Sequence, residues 1–157
     1  SLNTKKPARV FLSGGDPLLS PDFWEILTYA NTNRIYPIVQ GLLGNPNLIN
    51  LTVAKKLKKL HIKQIQFSLE GMPNIDAEIR GPKNWNLVWK AIDILENVGI
   101  KTNIMFTLSQ KNKRDLIPLM NYCAQRNVNS FSFARYCSTD ERDNDQIIPP
   151  KELKQYS

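Results

Sequence analysis

The residues able to do chemistry lie where apolar runs end. Ser13-Gly14-Gly15-Asp16-Pro17 closes the run Val10-Phe11-Leu12, and Ser68-Leu69-Glu70-Gly71 closes a run that begins at Gln64. Thr107 and Arg135-Tyr136 end two later runs, and Gln40-Gly41 ends an earlier one. Two glycines followed by a carboxylate let a backbone approach a ligand closely, while the acid reaches a cation such as an ammonium. The same Gly-Gly-Asp-Pro stretch also makes an ordinary turn, with Asp16 capping the residues after it. Only the company of the other run ends makes it more than a turn.

The elements that must position these residues follow a rhythm. Apolar runs begin near residues 9, 36, 64, 101 and 130, about one βαβ period apart. Helical patterns fill the gaps. Ser20-Pro21 offers a cap with Pro in the first turn, Thr52–Leu60 follows the Gly- and Asn-rich stretch 41–50, and Asn84 or Asn86 opens a helix to Asn97 with Gly99 beyond it. Asn112–Arg126 is a further helix, and a last one is expected after Pro149-Pro150. Such alternation predicts an α/β fold with a parallel sheet, whose ligands sit at the carboxyl ends of the strands.

Within the predicted strands, polar and apolar residues alternate. Ile65, Phe67 and Leu69 oppose Gln64, Gln66 and Ser68; Thr102, Ile104 and Phe106 oppose Asn103, Met105 and Thr107; Phe131 and Phe133 oppose Ser130, Ser132 and Ala134. A parallel sheet covered on both faces reads as continuous Val, Ile and Leu. Here the apolar face is expected to meet helices, and the polar face to line the lumen of a curved sheet or open barrel holding a polar ligand. A sheet with one wet face is the alternative.

Composition removes several classes. The chain has 157 residues, 41% of them hydrophobic, enough for a packed core in one domain. No apolar run approaches the roughly 18 residues of a membrane span, and no signal-peptide pattern opens the sequence. Membrane partners are therefore not expected. Cys123 and Cys137 cannot build a disulfide framework, so a cytoplasmic, reducing compartment is expected. Cys123 lies on a helical face with Leu116, Leu119 and Met120 and reads as buried; His61 has no ligand partner at metal spacing. The net charge of +7 is carried in part by Lys55, Lys56, Lys58 and Lys59, which read as the solvated face of one helix. No aromatic residues interleave with them, so nucleic acid is not the expected partner.

Three motifs, in order, resemble one known family. Ser13-Gly14-Gly15-Asp16-Pro17 is similar to the glycine-glycine-acid-proline motif of the radical S-adenosylmethionine (SAM) enzymes, where the acid is more often Glu. Ser68-Leu69-Glu70-Gly71 resembles the Ser-Leu-Asp-Gly that ends the family's fourth strand, and Ile79-Arg80-Gly81 matches the Ile-Arg-Gly that often follows. The resemblance spans about Arg9 to Pro150. It implies a partial (β/α) barrel, about five βα units of a six-unit barrel, with residues 138–157 as a post-barrel segment.

It also implies cofactors and roles. Intact members reductively cleave SAM at a [4Fe–4S] cluster, with an external electron donor, and the resulting 5′-deoxyadenosyl radical abstracts hydrogen from substrate. A peptide is one substrate class the resemblance suggests. By this resemblance Gly14 and Gly15 would lay backbone along the methionine moiety, Asp16 would accept from its α-ammonium, and Pro17 would be a further cofactor-binding position. Ser68 and Glu70 would meet the ribose hydroxyls, Arg80 would take the carboxylate, and Asn103 and Arg135 would be lumen or rim positions. Arg80 could equally be a surface ion-pair partner of Asp76 or Glu78. The family's Cys-x-x-x-Cys-x-x-Cys loop is absent from the sequence, so the chain is expected to be a fragment lacking the first unit. Ser1-Leu2 is expected to be a cloning scar, and the fragment alone is expected to be inactive. Two other classes remain open: a non-catalytic α/β module holding a nucleotide or anion at Gly14-Gly15, and a basic peptide- or nucleic-acid-binding domain.

Overall fold

A computed structural model describes residues 15–33, 44–138 and 141–154. The helices are α1 (Phe23–Thr32), α2 (Leu51–Lys59), α3 (Pro73–Arg80), α4 (Asn84–Asn97), α5 (Leu116–Gln125) and α6 (Pro150–Leu153). The strands are β1 (Gln64–Ser68), β2 (Lys101–Leu108) and β3 (Ser130–Arg135), in the sheet order β1-β2-β3. The strands expected near residues 9 and 36 lie outside the described residues. The sheet is parallel, because its register advances in step. The Lys101 N–H donates to the Lys63 carbonyl (2.8 Å) at one end of β1 and β2, and the Leu69 N–H to the Met105 carbonyl (3.1 Å) at the other. From β3, the Tyr136 N–H reaches the Leu108 carbonyl (2.9 Å).

The chain forms two compact units. One takes the chain up to Phe67 together with Asn86–Asn103; the other takes Ser68–Trp85 and Ile104 onward. The boundary falls inside β1 and inside β2. The core of the first unit includes Phe23, Leu27, Leu57, Ile65, Phe67, Ile92 and Leu95, and that of the second includes Leu69, Ile104, Phe106, Leu108, Leu116 and Leu119, all buried.

Helix ends explain how each strand is launched. After α2, α4 and α5 the chain turns through a left-handed residue, His61 (φ 62°), Gly99 (φ 72°) or Asn127 (φ 57°). In each case the next N–H reaches back five residues: Ile62 to Leu57, Ile100 to Leu95 and Val128 to Cys123. The left-handed residue closes a tighter bond inside it, His61 to Lys58, Gly99 to Glu96 and Asn127 to Ala124. These are Schellman motifs, which satisfy carbonyls a helix end would otherwise strand.

Several expectations are corrected. Ser20 does not cap α1. Its N–H ends the 3₁₀ turn Pro17–Leu19 by bonding the Pro17 carbonyl (3.1 Å), its own carbonyl takes the Phe23 N–H, and the helix starts at Phe23. The stretch 73–80 is a helix that the sequence pattern does not predict, opened by Pro73 and ended by Gly81 at φ 96°. The lysines of α2 do more than face water: Lys56 lies 3.9 Å over the Trp24 ring, and the Lys58 ammonium donates to the Gly99 carbonyl at 2.6 Å. Phe131 sits 6.3 Å from Phe106, ring to ring, but Phe133 is 44% exposed rather than covered. β3 is the edge of the described sheet, so alternation there does not dictate burial.

Candidate functional site

The polar row of β1 and β2 is knitted across the strands. In the first unit the Asn103 amide, 5% exposed, donates to Gln66 Oε1 at 2.7 Å. Where the strands end, in the second unit, the chain after Ser68 turns into Glu70-Gly71-Met72 and then α3. Ser68 is half-buried, its carbonyl taking the Asn84 amide at 3.3 Å.

Glu70 is the centre of this turn. It is 3% exposed, and both carboxylate oxygens are engaged. Oε1 accepts from Arg80 Nη2 at 2.6 Å and Nε at 3.2 Å, and Oε2 accepts from the Thr107 backbone N–H at 2.8 Å. The backbone of the turn is held as firmly. The Glu70 N–H donates to Asp76 Oδ1 (2.9 Å), the Glu70 carbonyl accepts from the Asn112 amide (3.0 Å), and the Met72 N–H donates to Asp115 Oδ2 (2.7 Å). Gly71 must be glycine for this, since a Cβ there would lie 2.7 Å from Ile75 Cβ and 2.8 Å from Asp115 Oδ2.

Asn112, 2% exposed, ties two strand ends together. Its amide nitrogen serves the Glu70 and Thr107 carbonyls, and its oxygen takes the Ser109 N–H (2.8 Å) and hydroxyl (3.1 Å). Asp76 is fully buried. Burial pushes its carboxyl above the usual aspartate range, against the lowering effect of the Glu70 N–H and the Asn84 amide. Nothing in the sequence marks Asp76 as buried or Asn112 as a strand tie; both read as ordinary polar residues at helix starts or faces. The alternative ion pairs of Arg80 are also settled. Arg80 pairs with Glu70, while Glu78 pairs with Lys111 at 3.2 Å in an exposed bridge.

Beside Glu70 and Arg80 opens a cavity of about 500 Å³, lined also by Ile79, Thr107, Ser109, Lys111, Tyr136 and Gln146. All of these lie past or near the carboxyl ends of β1, β2 and β3, where ligands of parallel sheets bind. Arg135 is exposed at the end of β3, and Met105 is half-buried on the row of Asn103. Lys113 and Gln110 hold Glu152 below the usual carboxylate range.

Asp16 belongs to the first unit. Its Oδ1 caps the turn Pro17–Leu19 by accepting from the Leu18 N–H (3.0 Å), the plain role expected of a turn acid. Its Oδ2 is buried and has no hydrogen-bond partner among the described residues. Gly15, exposed and at φ 21°, has open space where a Cβ would be. Gly14 lies outside the described residues. Cys123 is buried, and burial pushes its thiol up to about 12; Cys137 is exposed. Among the described residues no three His, Cys, Asp or Glu side chains are grouped to hold a metal ion, and no helix is long and apolar enough to cross a membrane.

Residues 3–123 match the Radical SAM superfamily. The chain is 25% identical over 125 residues to the Fe-coproporphyrin III synthase of Methanosarcina barkeri, covering 79% of this chain and 31% of that protein. It is 27% identical over 112 residues to the mycofactocin maturase MftC of Mycolicibacterium smegmatis, covering 68% and 27%. The solved structure of native anSMEcpe with bound AdoMet and Cp18Cys peptide superposes with a TM-score of 0.73 at 18% identity, covering 96% of this chain and 44% of that one. The chain thus spans about a third of the length of these curated relatives.

Proposed function

The chain belongs to the radical SAM superfamily, and on that premise we propose that it forms the SAM-binding part of an enzyme acting on a peptide. Members of this superfamily use SAM and a [4Fe–4S] cluster. SAM, when bound, would supply hydrogen-atom abstraction from substrate.

The residues present fit SAM. The observation that carries the reading is Arg80, whose guanidinium is anchored on one edge by the buried Glu70 and lines the 500 Å³ cavity at the strand ends. A guanidinium fork suits the methionine carboxylate. Taken in its own unit, Asp16 Oδ2, buried and without a hydrogen-bond partner among the described residues, suits an ammonium donor, and Gly15 leaves room for close backbone approach. Pro17, Ser68 and Asn103 remain proposed contacts by their motif positions, and Arg135 a proposed rim residue. The proposed role of these groups is to bind and orient the ligand.

The residues present do not fit the cluster. The sequence holds two cysteines, and Cys123 is buried with its thiol pushed up to about 12. A peptide substrate is supported by the maturase relative and by the peptide in the anSMEcpe structure. An external electron donor and a cytoplasmic setting belong to the same proposal.

Isothermal titration of the chain with S-adenosylhomocysteine tests the binding role. Saturable binding is expected, weakened about 10- to 100-fold by Arg80→Ala, the equivalent of roughly 1.5–3 kcal/mol for a charge-assisted bond. Absence of binding, or binding indifferent to Arg80→Ala, would overturn the proposal.

A further inference from the structure

Glu70 lies in the motif whose acid would contact the ribose hydroxyls of the ligand. Its geometry leaves no room for that role. The side chain is 4% exposed, and three bonds already converge on its two oxygens, two from Arg80 and one from the Thr107 N–H. Its backbone N–H and carbonyl are spent on Asp76 and Asn112. A carboxylate so enclosed has little left to offer a hydroxyl.

What this arrangement does is aim Arg80. Arg80 gives its Nε and one Nη2 proton to Glu70, which fixes the plane of the guanidinium. The free end, one Nη1 proton and the second Nη2 proton, is the pair of parallel donors that grips a carboxylate bidentately. The Arg80 side chain is 42% exposed and lines the cavity, whereas Glu70 is buried behind it. The bond from Thr107 fixes Glu70 in turn to the end of β2, so the aim of Arg80 is referenced to the sheet and not to the end of an eight-residue helix.

We infer that Glu70 is a positioning residue, which acts on a carboxylate-bearing nucleoside ligand only by orienting Arg80. This rests on the reading of Arg80 given above. It makes a distinction that a ribose contact would not. Ligands with the amino-acid tail depend on Glu70, and ligands reduced to the nucleoside do not.

The experiment is isothermal titration of the whole chain and its variants with S-adenosylhomocysteine and with 5′-methylthioadenosine, which keeps the ribose and lacks the carboxylate. Glu70→Gln keeps the size of the side chain but cannot accept from both Arg80 and the Thr107 N–H. It is expected to weaken S-adenosylhomocysteine at least 10-fold and 5′-methylthioadenosine less than twofold. In an Arg80→Ala background it is expected to have no further effect on the homocysteine ligand. Equal weakening of both ligands overturns the inference, because Glu70 then touches the ribose or merely supports the cavity. An undiminished loss in the Arg80→Ala background overturns it as well. If the wild-type chain binds neither ligand, it is the SAM-site reading that fails. Should Glu70→Gln not fold, the wild-type chain carries the test through the Arg80 Nε–H signal in NMR. That proton is expected to stay protected from exchange with and without S-adenosylhomocysteine while the Nη protons move, and its release on binding refutes the positioning role.

Discussion

Asn112→Ala removes the tie between the ends of β1 and β2. The wild-type amide makes four hydrogen bonds, to the Glu70 and Thr107 carbonyls and to the Ser109 N–H and hydroxyl, at 2.8–3.1 Å. At about 1 kcal/mol net each, the bonds alone amount to roughly 4 kcal/mol. Asn112 is 2% exposed, so its partners do not simply turn to solvent. The stranded buried partners add to that loss and water entering the space left by the amide recovers part of it, so the expected destabilisation is about 3–5 kcal/mol. That is a large fraction of the 5–15 kcal/mol typical of a domain. In urea, with a slope of about 2 kcal/mol/M, the midpoint should fall by roughly 1.5–2.5 M. Asn112→Asp separates donor from acceptor. One oxygen keeps the Ser109 bonds, and the other faces two carbonyls unless it is protonated. This variant should therefore be most stable in acid and lose stability as pH rises, since its folded state holds the proton more tightly than the unfolded chain. A midpoint shift under 0.5 M for Asn112→Ala, or an Asn112→Asp variant that gains stability toward neutral pH, would refute the reasoning.

Other outcomes follow from buried titratable groups. Burial raises the Asp76 carboxyl above its ordinary 3.8. Between that value and the raised folded one, the folded chain binds more protons than the unfolded chain, so this group's contribution to stability falls as pH rises. Urea midpoints from pH 4 to 7 should show that decline in the wild type relative to Asp76→Asn; a difference between the two that is independent of pH would sink the assignment. For the cysteines, a thiol reagent at neutral pH should label Cys137 at once and leave Cys123, buried and pushed up to about 12, unreacted until urea unfolds the chain. Two rapid equivalents under native conditions would contradict that burial.

Much of the fold was legible in local pattern. β3 is found at Ser130–Arg135 as read, β1 and β2 within a residue or so, and α4 ends at Asn97 with Gly99 beyond it. Period-two alternation and helix-stop residues are properties of neighbouring positions, and a single sequence displays them directly. α3 was missed because its eight residues are bracketed by Pro73 and Gly81 and carry little apolar patterning. The exposure of Phe133 was missed because alternation assigns a face and says nothing of whether that face is covered.

The site divides the same way. The sequence alone determined that an Asp16 turn, a Glu70-Gly71 turn and an Arg80-Gly81 helix end occur in the order that marks the superfamily, since motif order is written in the chain itself. Only the tertiary structure decided what these residues do to one another. Glu70 finds Arg80 ten positions away, Thr107 thirty-seven away and Asn112 forty-two away, and Asp76 is buried to hold its N–H. Hydrogen bonds at such separations depend on which strand ends the sheet brings side by side, and on which polar atoms are cut off from water there. Neither is a property of any short stretch of sequence.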